Sequence, residues 1–288
     1  MVRKAIRAAL AAIVLSAPSL PSAATPSQSP SAIEHAQLLG TLQLQGELFH
    51  VQGVDLDAAH IWVTSVDKEH KRGYLHEFDR ATGRFIARLE LTDGERYHPG
   101  GFSISGGSIW VPVAEYRANS SAVLEEIDVA TLQVRRKIYV ADHLGCAAVS
   151  GNHLVAGNWD SKQLYIFDLG GTAPVRVVPN PTDTSYQDMK FIGGQLVAGG
   201  VSGWESGSID WIDFPSMELT QSLRTGVTGR MSLFGKARPW SGEGMTLQGR
   251  DLYLLPEDGP SHLFHFQLEP LVALGGQRPG PPVAIAAR

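Results

Sequence analysis

One apolar segment recurs five times in this sequence, and the repeat restricts what the chain can fold into. The copies follow one another at roughly 45–55 residues. They read HIWVTSVD (60–67), SIWVPVAE (108–115), HLVAGNWD (153–160), QLVAGGVS (195–202) and DLYLLPED (251–258). Each is preceded by a segment that ends in a turn, such as 98–105, and is followed by a third apolar segment. A unit repeated at this spacing is typical of a propeller blade, which buries its faces only against neighbouring blades.

The arrangement of these segments predicts an all-β fold. The recurring segments are almost continuously apolar, as expected of strands that other blades cover on both faces. The first four units continue into a fourth segment, whereas the fifth runs into a Gly/Pro-rich tail. A spare segment of the same type, 36–44, lies at the other end of the chain. We therefore predict a five-bladed β-propeller with four antiparallel strands per blade, whose last blade is completed by the N-terminal strand.

The two ends of the chain differ in composition from the repeats. Three basic residues precede a short apolar run and a small-residue stretch, a pattern typical of a cleaved export signal. The predicted organisation is a signal peptide at 1–24, a linker at 25–35, the propeller at 36–270 and a Gly/Pro-rich tail at 271–288. The predicted localisation is therefore the periplasm or the extracellular space.

The charge balance limits the partners of the chain. The formal net charge of −5 becomes about −8 (−5 minus 3) once the three basic residues of the signal are removed, so nothing favours a nucleic-acid partner. The apolar run of the signal is too short to span a bilayer, so we predict no membrane span in the mature protein. A single cysteine, Cys146, leaves no internal disulfide. We expect a monomer that binds a small-molecule or peptide ligand.

Equivalent positions of a propeller repeat surround the mouth of its central channel. Three of the five positions at the start of the innermost strands are histidines, namely His50, His98 and His143. Three imidazoles suit a zinc-like ion with an open coordination position, and the carboxylates that follow the second strands suit calcium. The predicted cofactor is a divalent metal, zinc or calcium, with its identity left open. The alternative is structural, since repeated histidines also orient loops and carboxylates at strand ends also cap turns.

Residues that break the repeat are candidates for function, because repetition does not explain them. Glu243, which lies between two glycines, and Asp188 stand where other repeats have Gly or Gln. We predict both as catalytic acid/base residues. The predicted ligand-binding residues line the same mouth or its connections and are Gln52, Tyr186, Asn158, Trp159, Trp204 and Arg230. The two tryptophans have an alternative role in packing between blades.

Two stretches resemble the glutamine cyclotransferase family, secreted five-bladed propellers that close N-terminal glutamine into pyroglutamate. The first is FHVQGV (49–54), followed by LHEFD (75–79) and Thr82-Gly83. It is similar to the family's Phe-Thr-Gln-Gly-Leu opening and its Asp-x-x-Thr-Gly turn. The second, GEGMT (242–246), resembles the family's Gly-Glu-Gly-Leu-Thr segment. The resemblance implies a five-bladed propeller and an acyl-transfer activity.

Three functions follow from these patterns as alternatives. The first is an exported propeller that binds a small molecule or peptide at the channel mouth, with or without a metal ion. The second is an enzyme, either a glutamine cyclotransferase or a metal-assisted lyase or hydrolase. In that enzyme Glu243 or Asp188 acts as general acid/base, and a histidine serves as ligand or electrophile. The third is a scaffold that presents its rim to another protein.

Overall fold

Short apolar strands separated by tight turns fold into five antiparallel sheets, as the repeat predicts. The computed structural model describes residues 33, 35–228, 238–256 and 258–269. The predicted signal peptide, most of the predicted linker and the predicted tail lie outside these residues. Within the described part of the chain, no helix is long and apolar enough to cross a membrane.

Each sheet is one blade, and within a blade the strands lie side by side from the innermost to the outermost. Blade 1 contains β2 (His50–Leu56), β3 (His60–Asp67), β4 (Arg72–Asp79) and β5 (Phe85–Glu90). Blade 2 contains β6 (Arg96–Pro99), β7 (Ser103–Ser105), β8 (Ser108–Glu115), β9 (Ala122–Asp128) and β10 (Val134–Val140). Blade 3 contains β11 (Leu144–Ser150), β12 (His153–Asn158), β13 (Gln163–Asp168) and β14 (Pro174–Pro179), with a 3-10 turn at Trp159–Ser161.

The remaining two blades show how the ring closes. Blade 4 contains β15 (Ser185–Ile192), β16 (Gln195–Gly203), β17 (Ser206–Asp213) and β18 (Leu219–Thr225). Blade 5 contains β19 (Gly244–Gln248), β20 (Asp251–Leu255) and β21 (His262–Leu268). Its outermost strand is β1 (Ala36–Gln43), which pairs antiparallel with β21. The predicted five-bladed propeller, closed by the N-terminal strand, is therefore confirmed.

Order extends beyond β1 into the predicted linker. Ile33 is fully buried and bridges Thr225 at the end of blade 4. It belongs to the apolar cluster between blades 4 and 5. This residue therefore packs as part of the propeller.

The hydrophobic core is divided among the junctions between blades. The described residues form five apolar clusters, one between each pair of neighbouring blades. Trp62 of blade 1 shares a cluster with Phe102 of blade 2, and Val197 of blade 4 shares one with Leu252 of blade 5. Because each blade contributes to two junctions, both faces of its second strand are buried. This burial explains the unbroken apolar runs of the repeat.

The innermost strand of blade 2 is interrupted. The sequence suggests one continuous segment here, but a gap of three residues separates β6 from β7. Gly101 turns towards blade 3, where its N–H donates to the carbonyl of Gly145 at 3.0 Å. The carbonyl of Gly101 accepts from the N–H of Ala147 at 2.9 Å. A Cβ on Gly100 would collide with the Gly145 carbonyl oxygen, so this approach requires glycine.

A buried ion pair lies where the innermost strands meet. Nζ of Lys190 is 2.5 Å from Oδ1 of Asp188, and the two side chains are 3% and 0% exposed. The other carboxylate oxygen of Asp188 accepts from the N–H groups of Val54 and Met245, both at 3.0 Å. Lys190 also donates to the carbonyl of Phe102. The pair therefore bonds blade 4 to blades 1, 2 and 5.

A second buried titratable group lies within blade 1. His76 of β4 is fully buried between Tyr74 and Phe78, and its Nε2 lies 2.8 Å from Oγ of Ser65. Burial, with a smaller contribution from the charge of Arg88, lowers the pKa of His76 from 6.5 to about 3. The unfolded chain therefore binds a proton here at a higher pH than the folded chain does. The free energy of unfolding therefore contains the full contribution of neutral His76 above pH 6.5, and it loses this contribution progressively as the pH falls towards about 3.

We expect Lys190→Met to destabilise the fold strongly, because it leaves the carboxylate of Asp188 buried without its cation. Breaking one side of such a pair costs about 3–5 kcal/mol in the free energy of unfolding, measurable by urea denaturation. The matched control is Lys162→Met, since Lys162 forms an exposed pair with Asp160 at 3.9 Å. That control should change stability by less than about 0.5 kcal/mol. Equal effects of the two substitutions would contradict the role of the buried pair.

We expect the double substitution His76→Phe with Ser65→Ala to make the protein less sensitive to acid. Below the pKa of the unfolded histidine, His76 costs about 1.4 kcal/mol of stability for each pH unit, and the variant lacks this loss. The measurement is the free energy of unfolding from urea titrations between about pH 7.5 and 4.5. His70→Gln is the control, because Asp67 raises the pKa of the exposed His70 and its removal cannot flatten the acid limb. An unchanged slope in the double variant would refute this account.

Candidate ligand site at the channel mouth

Side chains from three blades meet where the innermost strands begin. The rings of His98 and His143 are 5.6 Å apart between centroids. Nε2–H of His98 donates to Oε1 of Gln52 at 2.8 Å. Gln52 reaches the mouth because the pairing of β2 with β3 shifts register between Val51 and Gly53, which leaves Gln52 in a bulge. We call the side chains that meet here the mouth cluster. Its members are Gln52, His98 and His143, together with Trp159, Tyr116, Lys68, Glu243, Arg238, Asp258 and His50, which are described below.

The hydrogen bonds of Gln52 define the state of His98. Nε2 of Gln52 donates to the carbonyl of Val51 at 2.9 Å, so its Oε1 is the acceptor that faces His98. The Nδ1 atom of His98 is buried and has no hydrogen-bond partner among the described residues. Burial, followed by the charges of His143, His50 and Lys68, holds the pKa of His98 well below its usual range. His98 is therefore a neutral imidazole at physiological pH.

His143 is fixed by the backbone and by an aromatic neighbour. Its Nδ1–H donates to the carbonyls of Glu115 at 3.0 Å and Arg117 at 3.2 Å. The ring of Trp159 packs edge-on against it with 4.7 Å between centroids. Burial lowers the pKa of His143. These contacts match the structural alternative for this histidine, in which a repeated imidazole orients a loop.

Tyr116 and Lys68 complete this side of the mouth. The ring of Tyr116 packs edge-on against His98 with 4.3 Å between centroids. Nζ of Lys68 lies 4.9 Å from the centre of the Tyr116 ring. The mouth cluster therefore has an aromatic wall with a cation above it.

Glu243 is the carboxyl group of the mouth cluster. It directly precedes β19, and its side chain is largely buried. Nη1 of Arg238 donates to its Oε1 at 3.1 Å. Burial raises the pKa of Glu243 to about 7, although the charges of His50 and Arg238 oppose that rise. A carboxyl group with this pKa exchanges its proton at neutral pH.

A chain of charged contacts connects Glu243 to His50. Nη2 of Arg238 is 3.5 Å from Oδ2 of Asp258. Nδ1–H of His50 donates to Oδ1 of Asp258 at 2.9 Å. Although burial raises the pKa of Asp258, the hydrogen bond and the charge of His50 hold it below its usual value. The order of contacts is thus Glu243, Arg238, Asp258 and His50.

Arg238 is not among the predicted ligand-binding residues, although the basic, aromatic connection before the fifth repeat contains it. The same long connection contains Arg230, which was predicted to bind ligand and which lies outside the described residues. Two observations in the sequence point to Arg238 instead. It stands five positions before Glu243, and the connection that contains it is longer than its counterparts in the other repeats.

Four predicted site residues lie apart from the mouth cluster. Both oxygens of Asp188 are occupied by the hydrogen bonds described above, so the carboxylate belongs to the floor of the channel. Tyr186 turns into blade 4, where its hydroxyl donates to Asp210 at 2.9 Å. Asn158 holds a turn, since its Oδ1 accepts from the N–H of Gln163 at 2.9 Å. Trp204 is 89% exposed in the connection between β16 and β17.

The three predicted metal ligands have other partners. His50 bonds to Asp258, His98 bonds to Gln52, and Nδ1 of His143 bonds to backbone carbonyls. Throughout the described residues, no group of three or more His, Cys, Asp or Glu side chains is arranged to hold a metal ion. Metal binding by the three histidines therefore stays a prediction.

A solved structure shares this architecture. The glutaminyl cyclase of Myxococcus xanthus superposes with a TM-score of 0.58 and 15% sequence identity, covering 81% of this chain and 96% of that one. The WD40 domain of Pan2 from Neurospora crassa superposes with a TM-score of 0.49 and 8% identity, covering 86% of this chain and 99% of that one. The likeness to the cyclase confirms the fold that the resemblance implied.

Sequence comparison places the chain in a family. No curated protein matches it. Residues 36–196, more than half of the 288 residues, match the model of a family of unknown function, DUF6454. That match begins at β1 and extends to the start of β16. The chain therefore belongs to this family of unknown function.

Proposed function

We propose that this chain is exported and binds a small molecule or a peptide at the mouth of its central channel. The basic start, the short apolar run and the small-residue stretch of residues 1–24 support export. The observation that carries the binding proposal is the pairing of Glu243 with Arg238. A carboxyl group buried at a channel mouth, with a pKa of about 7, is typical of a functional site.

The mouth cluster offers a ligand three kinds of contact. Arg238 is 44% exposed, so a carboxylate or carbonyl group of a ligand can reach its guanidinium, which also contacts Glu243 and Asp258. Glu243 donates a hydrogen bond when protonated and accepts one when ionised. Tyr116 and Trp159 provide apolar faces beside His98 and His143. Such a mixture of aromatic walls with a few convergent polar groups is the usual composition of a small-molecule site.

A second candidate is acyl transfer on an N-terminal glutamine, as the name of the Myxococcus xanthus cyclase suggests. The specific observation in its favour is the pKa of Glu243, which suits a general acid/base at neutral pH. In that reaction the α-amine attacks the side-chain amide carbon, a C–N bond forms and ammonia leaves. Glu243 would accept the proton from the attacking amine and return it to the departing nitrogen.

The binding proposal predicts a ligand whose affinity depends on Arg238. The probes are free amino acids, dicarboxylates and a panel of tripeptides, screened by thermal shift and then by calorimetry. A ligand at a hundredfold excess over its dissociation constant should stabilise the protein by about 2.7 kcal/mol. Arg238→Met should weaken the binding of that ligand by roughly tenfold or more, because the charged hydrogen bond between Arg238 and the ligand is lost.

Arg117→Met is the matched control, since Arg117 pairs with Glu115 near the same mouth but is 63% exposed. It should leave the affinity unchanged. Equal affinities of the wild type and the Arg238 variant, or no binding by any probe, would contradict the proposal.

Incubation with a tripeptide that begins with glutamine distinguishes the two candidate functions, because only cyclisation releases ammonia. Glu243→Gln should then lower turnover by at least about a hundredfold, whereas binding without ammonia release excludes the second candidate.

A further inference from the structure

Trp204 is one of the predicted ligand contacts that lie apart from the channel mouth. It lies in the connection between β16 and β17 and is 89% exposed, more than any other large apolar side chain among the described residues. An exposed tryptophan gives up the burial that usually stabilises its large ring. Such rings are enriched where proteins bind ligands, because they offer a rigid face at a low entropic cost.

A polar groove begins beside Trp204. Ser202 of β16 and Ser206 of β17, each two residues from Trp204, line a cavity of about 330 Å³ together with the segment 182–184. That volume lies within the range of small-molecule sites. A second cavity, also of about 330 Å³, lies on the blade 3 side of the same segment and is lined by Asp160 and Asn180. We call the first of these cavities the rim groove.

The chemistry of the rim groove is dominated by hydroxyl groups that share one carboxylate. Asp210 is buried, and its Oδ1 accepts from the hydroxyls of Ser208 and Ser222, the latter at 2.6 Å. Its Oδ2 accepts from Thr184 at 3.0 Å and from Tyr186 at 2.9 Å. Four donors therefore fix one carboxylate.

This arrangement has a consequence for any ligand of the groove. A hydroxyl group has one hydrogen and two lone pairs. Ser208 and Thr184 are buried, whereas Ser222 is exposed and directs its hydrogen at Asp210, so the lone pairs of Ser222 are open to a ligand. The groove thus presents a fixed acceptor, and Arg224, which also lines it, adds donors.

We propose that the rim groove binds an uncharged oligosaccharide, with Trp204 packing against a sugar ring. A saccharide supplies hydroxyl donors for the fixed acceptor of the groove, and its apolar ring face suits an exposed indole. The groove has little apolar lining besides Leu219, which disfavours a peptide that needs pockets for apolar side chains. Asp183 and Arg224 carry opposite charges in its lining, which gives no preference for a charged ligand.

The test is calorimetric titration of the purified chain with three soluble probes, cellohexaose, maltohexaose and chitohexaose. We expect at least one of them to bind with a dissociation constant in the millimolar range or tighter. When the same probes are added in a fluorescence titration, the tryptophan emission should shift to shorter wavelength as Trp204 loses contact with water. Trp204→Ala should weaken binding by roughly tenfold, and Ser222→Ala should weaken it several-fold by removing one acceptor.

The matched control is Tyr139→Ala, which removes another exposed aromatic, 57% exposed, from the outer strand of blade 2. It should leave the affinity unchanged, and so should Arg238→Met at the channel mouth, which keeps this test separate from the one above. Absence of binding up to about 10 mM of every saccharide would overturn the proposal. Unchanged affinity in the Trp204 variant, or binding of tripeptides in place of saccharides, would overturn it as well.

Discussion

The carboxylate of Asp188 is the group on which the closed ring depends. Blade sheets of a propeller form no continuous hydrogen-bonded barrel, so contacts between blades must come from apolar packing and from a few polar bonds at the axis. Asp188 bonds to backbone N–H groups of blades 1, 4 and 5, and Lys190 extends the connection to blade 2. Burial raises the pKa of Asp188 to about 6, so the carboxylate stays ionised beside Lys190 at neutral pH.

The same axis gives the channel a floor. A Cβ on Gly53 would come within 2.8 Å of the Gly101 Cα, and one on Gly244 would come within 2.8 Å of the Val54 nitrogen. The innermost strands therefore approach one another as closely as glycine allows. A mouth above such a floor is shielded from water on one side. That shielding accounts for the raised pKa of Glu243 and the lowered pKa of His98, because burial disfavours the charged form of each group.

The sequence predicts the fold better than it predicts the site. Repeat spacing and the spare strand at 36–44 lead directly to five blades and to their closure, because both follow from burial of strand faces. Side-chain direction does not follow, since one bulged residue reverses which side chains face the channel. Tyr186 shares a repeat position with His50, yet it turns into blade 4 to bond Asp210. Asp188 differs from the residues at the same repeat position, as a functional residue would. The difference is explained by its hydrogen bonds between blades at the axis of the ring.

A pH titration of the carboxyl infrared bands of the wild type against Glu243→Gln tests the proposed site at the channel mouth directly. We expect a carboxyl group that titrates near neutral pH in the wild type, with a midpoint of about 7, and that is missing in the variant. That result would show a proton-carrying group buried at the channel mouth. A difference spectrum in which Glu243 titrates near its ordinary pKa of 4.5 would mean that the mouth is open to water, and it would contradict the proposed site.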